Sequence, residues 1–361
     1  MMEDHWGSRR DVWDGADVRI DTHEGRRSQD GRLGGMRRSF AFLSGALLVG
    51  ALALAAPAPA SADDGGFTIR DPRITESSGL AASRLHPGIY WTHNDSDDGP
   101  YVYAVDSRTG RTVATLTLRG IGTPRDVEAV SMGPGNEIYL GDIGDNFGGT
   151  WPYVWIYKLP EPKVLKDQTI RATQYVVKYA DGPRDAESLL VHPKTGRVYI
   201  IDKKEDGGHL YEGPVRLSAT GTNVFRPTAA VDLWATDAAF SPDGEQLAVR
   251  GYFGGIAYAW NGGRIKKQTR LDVPLQRQGE SVTYTLDGSK LLYGSEGADS
   301  PVQPESVPGH QAKSPSGKGS TQNGAGNGSP LNADYRVGAL VLAAGLAVVL
   351  VLKRLLRRTP R

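Results

Sequence analysis

Four arginines in this chain each stand three residues ahead of a glutamate: Arg73 and Glu76, Arg125 and Glu128, Arg184 and Glu187, Arg277 and Glu280. A further place in the same series breaks the pattern, with Leu233 and Thr236 in the two positions and Arg250 further along. Recurrent carboxylates gathered at one place form an oxygen-rich ring suited to a hard cation such as Ca²⁺ or Mg²⁺. On this reading Glu76, Glu128, Glu187 and Glu280 are the metal-ligating candidates. The competing reading is structural: Arg73, Arg125, Arg184 and Arg277 pair with those glutamates or with neighbouring carbonyls and lock repeats together. Both stay open.

Each acidic start is followed by a Pro- or Gly-rich turn and a second, more apolar strand. Antiparallel pairing brings the end of that strand beside the start of the first. This places His93, Asp142, Asp202, Arg250 and Glu296 next to the glutamates, as the candidate ligand-binding residues. Arg250 would offer an always-charged fork to a carboxylate or phosphate. His93 has the chemistry of a general base but no nucleophile motif near it. The acidic loops 94–99 and 142–146 do not follow the twelve-residue calcium-loop pattern and read as solvated turns. No G-x-S-x-G, H-E-x-x-H or phosphate-cradling loop occurs, so no catalytic residue is assigned. The chain has no cysteine, which excludes disulfides, thiolate zinc sites and a cysteine nucleophile. Its 42 Lys and Arg balance 41 Asp and Glu, so no global field favours nucleic acid as a partner.

The elements that must carry these residues are short strands. Acidic starts at 76, 128, 187, 236–237 and 280 recur at about 40 to 60 residues with four strands expected per unit, which is the layout of propeller blades. Third strands are expected at 101–105, 153–157, 209–211 and 256–260, and fourth strands at 113–118, 173–179, 229–233 and 270–273. The fold class is therefore all-β, a five-bladed β-propeller with six blades as the alternative. The fifth unit lacks a fourth strand and the segment 67–70 is an orphan, so N-terminal strand closure is expected to complete the ring.

Glu76-Ser77-Ser78-Gly79-Leu80, Asp126-Val127-Glu128-Ala129 and Asp185-Ala186-Glu187-Ser188 resemble the E-x-S-G-L and D-x-E-G elements of SdiA-regulated and esterase-like phytase propellers. Phe240-Ser241-Pro242-Asp243-Gly244 is similar to the turn of WD-repeat-like propellers. The resemblance implies the fold. Ala129 and Ser188 replace the Gly of the phytase-like pattern, which speaks against carrying phosphatase activity over.

Outside the repeats, Met36-Arg37-Arg38, an apolar run to Ala56 and Ala60-Ser61-Ala62 form a signal peptide over 36–62. Residues 1–35 read as a mis-assigned start or a disordered extension. The ectodomain covers 63–297, a Ser/Gly/Pro-rich stalk 298–334, a transmembrane helix 335–352 and a basic cytoplasmic tail 353–361. Lys and Arg after Leu352 keep the C-terminus inside, giving a single-pass cell-membrane protein with its ectodomain outside. Two function classes follow. The first is a surface-displayed module that binds a ligand or protein; the second is a metal-dependent hydrolase of an extracytoplasmic phosphoester or lactone.

Overall fold

A computed structural model describes residues 65–309, with the exception of Asp97. The signal peptide, the transmembrane helix, the basic tail, the first 35 residues and the stalk beyond 309 lie outside the described residues. Among the described residues there are 21 strands and no helix. Strand β1 (Phe67–Thr68) comes first. A first unit follows with β2 (Ser77–Ala82), β3 (Ile89–Asn94), β4 (Tyr101–Asp106) and β5 (Arg111–Arg119). The second unit holds β6 (Val127–Gly133), β7 (Glu137–Asp142), β8 (Val154–Pro160) and β10 (Thr173–Tyr179), with β9 (Gln168–Arg171) lying parallel to β5 of the first. The third has β11 (Ala186–Val191), β12 (Val198–Asp202), β13 (Gly208–Glu212) and β14 (Thr222–Val231). The fourth has β15 (Ala235–Phe240), β16 (Gln246–Gly251), β17 (Gly254–Asn261) and β18 (Arg264–Leu271). The last has β19 (Gly279–Tyr284), β20 (Lys290–Ser295) and β21 (Pro301–Ser306).

Within each unit the strands follow one another antiparallel, and the tight turns carry the glycines that need positive φ. In Ser241-Pro242-Asp243-Gly244 the Ser241 hydroxyl donates to Asp243 at 2.6 Å and Gly244 takes φ +68°. Thr285-Leu286-Asp287-Gly288 repeats the device, with φ +74° at Gly288. Strand β1 pairs antiparallel with β21, Phe67 opposite Val302, so the N-terminal segment supplies the edge that the last unit lacks. β21 itself falls in the segment read from sequence as stalk. Val302 is the one buried residue of its six, so no apolar pattern marks it.

The inner strands pack in a closed cycle: β2 on β6, β6 on β11, β11 on β15, β15 on β19 and β19 back on β2. A separate apolar cluster fills each gap. Trp91 and Leu116 meet Leu140 and Tyr157; Ile156 and Val177 meet Leu189 and Phe225; Ile201 and Leu210 meet Leu247 and Val249. Ala248 and Leu271 then meet Val282 and Tyr293, while Leu292 and Val302 meet Leu80 and Val105. Each sheet is thus covered on both faces, which is why β3, β11 and β12 are buried throughout rather than alternately. The architecture is propeller-like and all-β. Units two and three are also fused at their outer edges, where β10 and β14 run parallel and make one eight-stranded sheet. The fourth strands of units three and four differ from expectation, at 222–231 and 264–271. Outer strands face solvent, and β18 is exposed along most of its length, so its polar residues carry no periodic signal.

Candidate functional site

Each inner strand begins with a bulge, and the bulges decide which side chains meet. Pairing shifts between Val127 and Ala129, between Ala186 and Ser188, and between Ala235 and Asp237, so Glu128, Glu187 and Thr236 are the extra residues. In the other two units the shift lies between Ser77 and Leu80 and between Gly279 and Val282. The equivalent residues are therefore Ser78, Glu128, Glu187, Thr236 and Glu280. Glu76 is two places out of register with the other glutamates, because in unit one the R-x-x-E spacing falls two residues earlier relative to the strand pairing. Main-chain bonds agree: Asp95 N–H donates to Glu76 O as Lys203 does to Asp185 and Glu296 to Gln278, each at 2.9 Å.

The four arginines do not pair with the glutamates three residues on. Arg73 is bound to Asp71 at 2.6 Å, which holds that carboxyl down at about 2. Arg125 donates to Tyr153 O at 2.8 Å and lies between the rings of Trp151 and Trp155, 3.8 and 3.6 Å from their centroids. Arg184 bridges Asp181 and Asp202 and covers Tyr211 at 4.4 Å. Arg277 is exposed. Arg73, Arg125 and Arg184 are thus held by other partners, and among the described residues none of the four forms an ion pair with a buried glutamate.

Several ligand-binding candidates turn out to be internal braces. Asp142 is fully buried and accepts from the backbone N–H of Arg125 and Asp126, each at 3.1 Å, and from the Tyr157 hydroxyl. Asn94 does the same in unit one for Thr75 and Glu76, each at 3.0 Å. Asp202 accepts from Arg184 at 2.9 Å and from His209 N–H. Arg250, expected to present its fork to a ligand, runs sideways into the next unit instead. It is 0% exposed and donates to Ser281 O at 2.9 Å, Gly294 O at 2.8 Å and Gln276 at 3.1 Å. Burial pulls it down to about 10. Gly279 makes the room, since an added Cβ would stand 1.9 Å from Arg250 Nη2. His93 is buried with Nδ1 3.0 Å from Asn94 O, and burial pushes it down to about 4, so its ring is neutral. The loop after Asp142 is not a solvated turn either. Asp145 is buried and accepts from Phe147, Thr150 and Trp151, which shapes residues 145–151 from within.

The carboxylates at the mouth behave differently. Asp95, Asp126 and Glu128 each bring an oxygen within 4.8 Å of the others, and Asp126 and Glu128 are buried. Ser78 donates to Glu128 at 3.0 Å and Asn146 to Asp126 at 2.9 Å. Gly144 closes over the pair, with space for no Cβ: one would sit 2.5 Å from Glu128 Oε1 and 2.7 Å from Asp126 Oδ2. Burial first, then the charge of Asp126, pushes Asp95 up to about 10. Glu128 and Glu187 are raised well above the usual carboxylate range by burial, as is Glu280 to a lesser degree. Glu296 accepts from Gln278 at the rim.

Lys203 is the residue that sequence reasoning missed. Its ammonium binds Glu187 and stands 5.7 Å above the Tyr252 ring. The charges of Glu187, Glu280 and Glu128 hold it protonated against burial. Its position was legible: Lys203 directly follows the second strand, as Asp95 and Glu296 do in their units. Chemically, the mouth is a buried, carboxylate-rich centre with Lys203 bound to Glu187 on one side and the trio Asp95, Asp126 and Glu128 on the other.

No family model matches the chain, and no curated protein matches it. The likeness to the phytase-like groups therefore rests on the short motifs alone. Similar solved structures include a "putative 6-phosphogluconolactonase" from Bacteroides uniformis, 15% identical with a TM-score of 0.37, covering 65% of this chain and 69% of that one. One from Bacteroides fragilis is 14% identical, with a TM-score of 0.38 and coverage of 66% and 69%. Kuenenia stuttgartiensis hydrazine synthase is 13% identical, with a TM-score of 0.36 and coverage of 63% and 75%. Likeness at this level reaches neither their chemistry nor their ligands.

Proposed function

We propose that this chain is a five-bladed propeller, exported and tethered outside the cell by its C-terminal helix, that binds a divalent cation at its acidic mouth and a ligand or protein over it. The observation that carries this reading is the trio Asp95, Asp126 and Glu128, converging within 4.8 Å. Three such carboxylates cannot all ionise in a buried site without a counter-charge, and Ca²⁺ or Mg²⁺ with oxygen ligands supplies it. Of the sequence candidates, Glu128 belongs to this trio, Glu187 and Glu280 line the same mouth, and the Glu76 main chain bonds to Asp95 and Asn94 beside it.

The binding role draws on the same end of the fold. Tyr101, Phe147, Tyr153, Phe253 and Leu275 are exposed; Tyr101 begins β4 and the other four stand on loops at the same end of the strands as the acidic mouth. The opposite end exposes Leu85, Val113, Val164, Val215 and Leu286 and no aromatic ring among its exposed large apolar residues. Aromatic side chains around a polar centre are the composition of a contact surface. Hydrolysis of a phosphoester or lactone is the second reading, drawing on the same trio, since a cation held by three carboxylates keeps positions at which water is activated. The test has two arms. Purified protein should melt at higher temperature with Ca²⁺, Mg²⁺ or Mn²⁺ than in EDTA, and protease shaving of intact cells should release the propeller. An unchanged melting temperature removes the cation; a propeller protected inside the cell removes the export. Turnover of lactone or phosphoester panels by the cation-loaded protein would favour the second reading over the first.

A further inference from the structure

We infer that Lys203 is a built-in cation holding a second divalent-cation place in the mouth, and that it limits the propeller to one bound metal. The first support is positional. Lys203 and Asp95 are equivalent, each directly following the second strand of its unit and each donating its N–H to the corresponding carbonyl at 2.9 Å. In unit one that position adds a carboxylate to the trio; in unit three it adds an ammonium to Glu187. The second is the set of groups around the ammonium. Glu187 is bound to it, the Tyr252 ring lies 5.7 Å away, and Glu280 faces it as a charged neighbour. Third, Glu280 is 3% exposed and its Oε2 has no hydrogen-bond partner, while Lys203 and Arg250 are the positive charges beside it. Buried carboxylate oxygens left in that state are costly unless a cation is near.

An ammonium and a hard divalent cation make the same demand on their surroundings, for several oxygens in a shell. Lys203 meets that demand with one charge, delivered by the chain itself. Removing it leaves Glu187 and Glu280 facing an empty place, with Glu128 shared between the two halves of the mouth. This rests on the cation-binding reading of the mouth, and the stoichiometry separates the two claims.

The experiment is calcium titration of the full chain after EDTA treatment, read by calorimetry and by metal content after gel filtration. Wild type should bind one Ca²⁺, Lys203→Gln two, and Lys203→Arg one. Lys203→Gln should melt below wild type in EDTA and recover in millimolar Ca²⁺. Lys203→Gln binding only as much Ca²⁺ as wild type overturns the inference, as does a variant that stays unfolded in millimolar Ca²⁺. If wild type binds none and Lys203→Gln binds one, the trio is not a metal site, while the role of Lys203 stands.

Discussion

Metal-free protein should lose stability as pH rises from 7 to 9, against the habit of most folded proteins. The cause is the proton held by the Asp95, Asp126 and Glu128 trio, where burial and the neighbouring charge push Asp95 up to about 10. The unfolded chain releases that proton near the ordinary value of 3.8, so between 3.8 and about 10 the folded state binds more protons. Stability is then fully present below the unfolded value and falls as pH climbs toward the folded one. One extra proton corresponds to a slope of up to about 1.4 kcal/mol per pH unit, or roughly 3–5 °C of melting temperature for a domain of this size. His93 works in the opposite sense, since burial lowers it to about 4 and it costs stability only below its ordinary 6.5. Starting at pH 7 leaves it out. The assay is urea unfolding in EDTA at pH 7, 8 and 9, repeated with saturating Ca²⁺ and with Asp95→Asn. The slope should appear in EDTA, shrink in Asp95→Asn, and flatten with Ca²⁺, because a bound cation displaces the proton. A flat or rising profile in EDTA would refute the account of the trio.

A chain that starts at Thr75 loses β1 and the buried side chains of Ile69 and Ile74, and should unfold about 3–6 kcal/mol more easily in urea. Arg250→Met leaves the Ser281 and Gly294 carbonyls unpaired and should cost about 3–5 kcal/mol, while the folded fraction keeps the wild-type response to Ca²⁺. Asp145→Ala removes the acceptor that organises residues 145–151 and should cost about 2–3 kcal/mol. Limited proteolysis should then cut first beside the exposed Phe147.

The fold was legible because inner strands are buried on both faces: runs such as Ile138-Tyr139-Leu140 and Val198-Tyr199-Ile200 stand out against Pro- and Gly-rich turns. The outer strands at 113–118 and 173–179 were legible too, as β5 and β10, but β9 and β18 were not, since they cover sheet edges with polar residues and satisfy backbone bonds that no side-chain pattern records. In the site, Glu128, Glu187 and Glu280 could be read from their spacing. Glu76 does not align, because an arginine-to-glutamate interval does not report strand register, and in unit one Ser78 takes the equivalent place. Arg250 reads as a ligand fork from its place at the break in the repeat, whereas it fills the gap beside Gly279. Lys203 carries no such spacing signal, because the compensating charge comes from the end of the neighbouring strand rather than from the arginines ahead of the glutamates.

The bulge position itself shows which residues are kept at the expense of stability. Where it holds a hydroxyl, the side chain ties its unit to the next: Ser78 donates to Glu128 O at 3.2 Å, and Thr236 to Glu280 O at 3.1 Å. A glutamate in the same place cannot donate unless protonated, and it adds a buried carboxyl that burial pushes up. A purely structural latch would favour the hydroxyl in every unit. Glu128→Thr should therefore donate to the Glu187 carbonyl as its counterparts do, and relieve the crowding with Asp95 and Asp126. In EDTA the variant should be more stable than wild type by about 1–2 kcal/mol, and its melting temperature should no longer respond to Ca²⁺. That combination is the trade expected when a functional group occupies a structural position. A variant less stable than wild type in EDTA, or one that still responds fully to Ca²⁺, would show that Glu128 serves the fold instead.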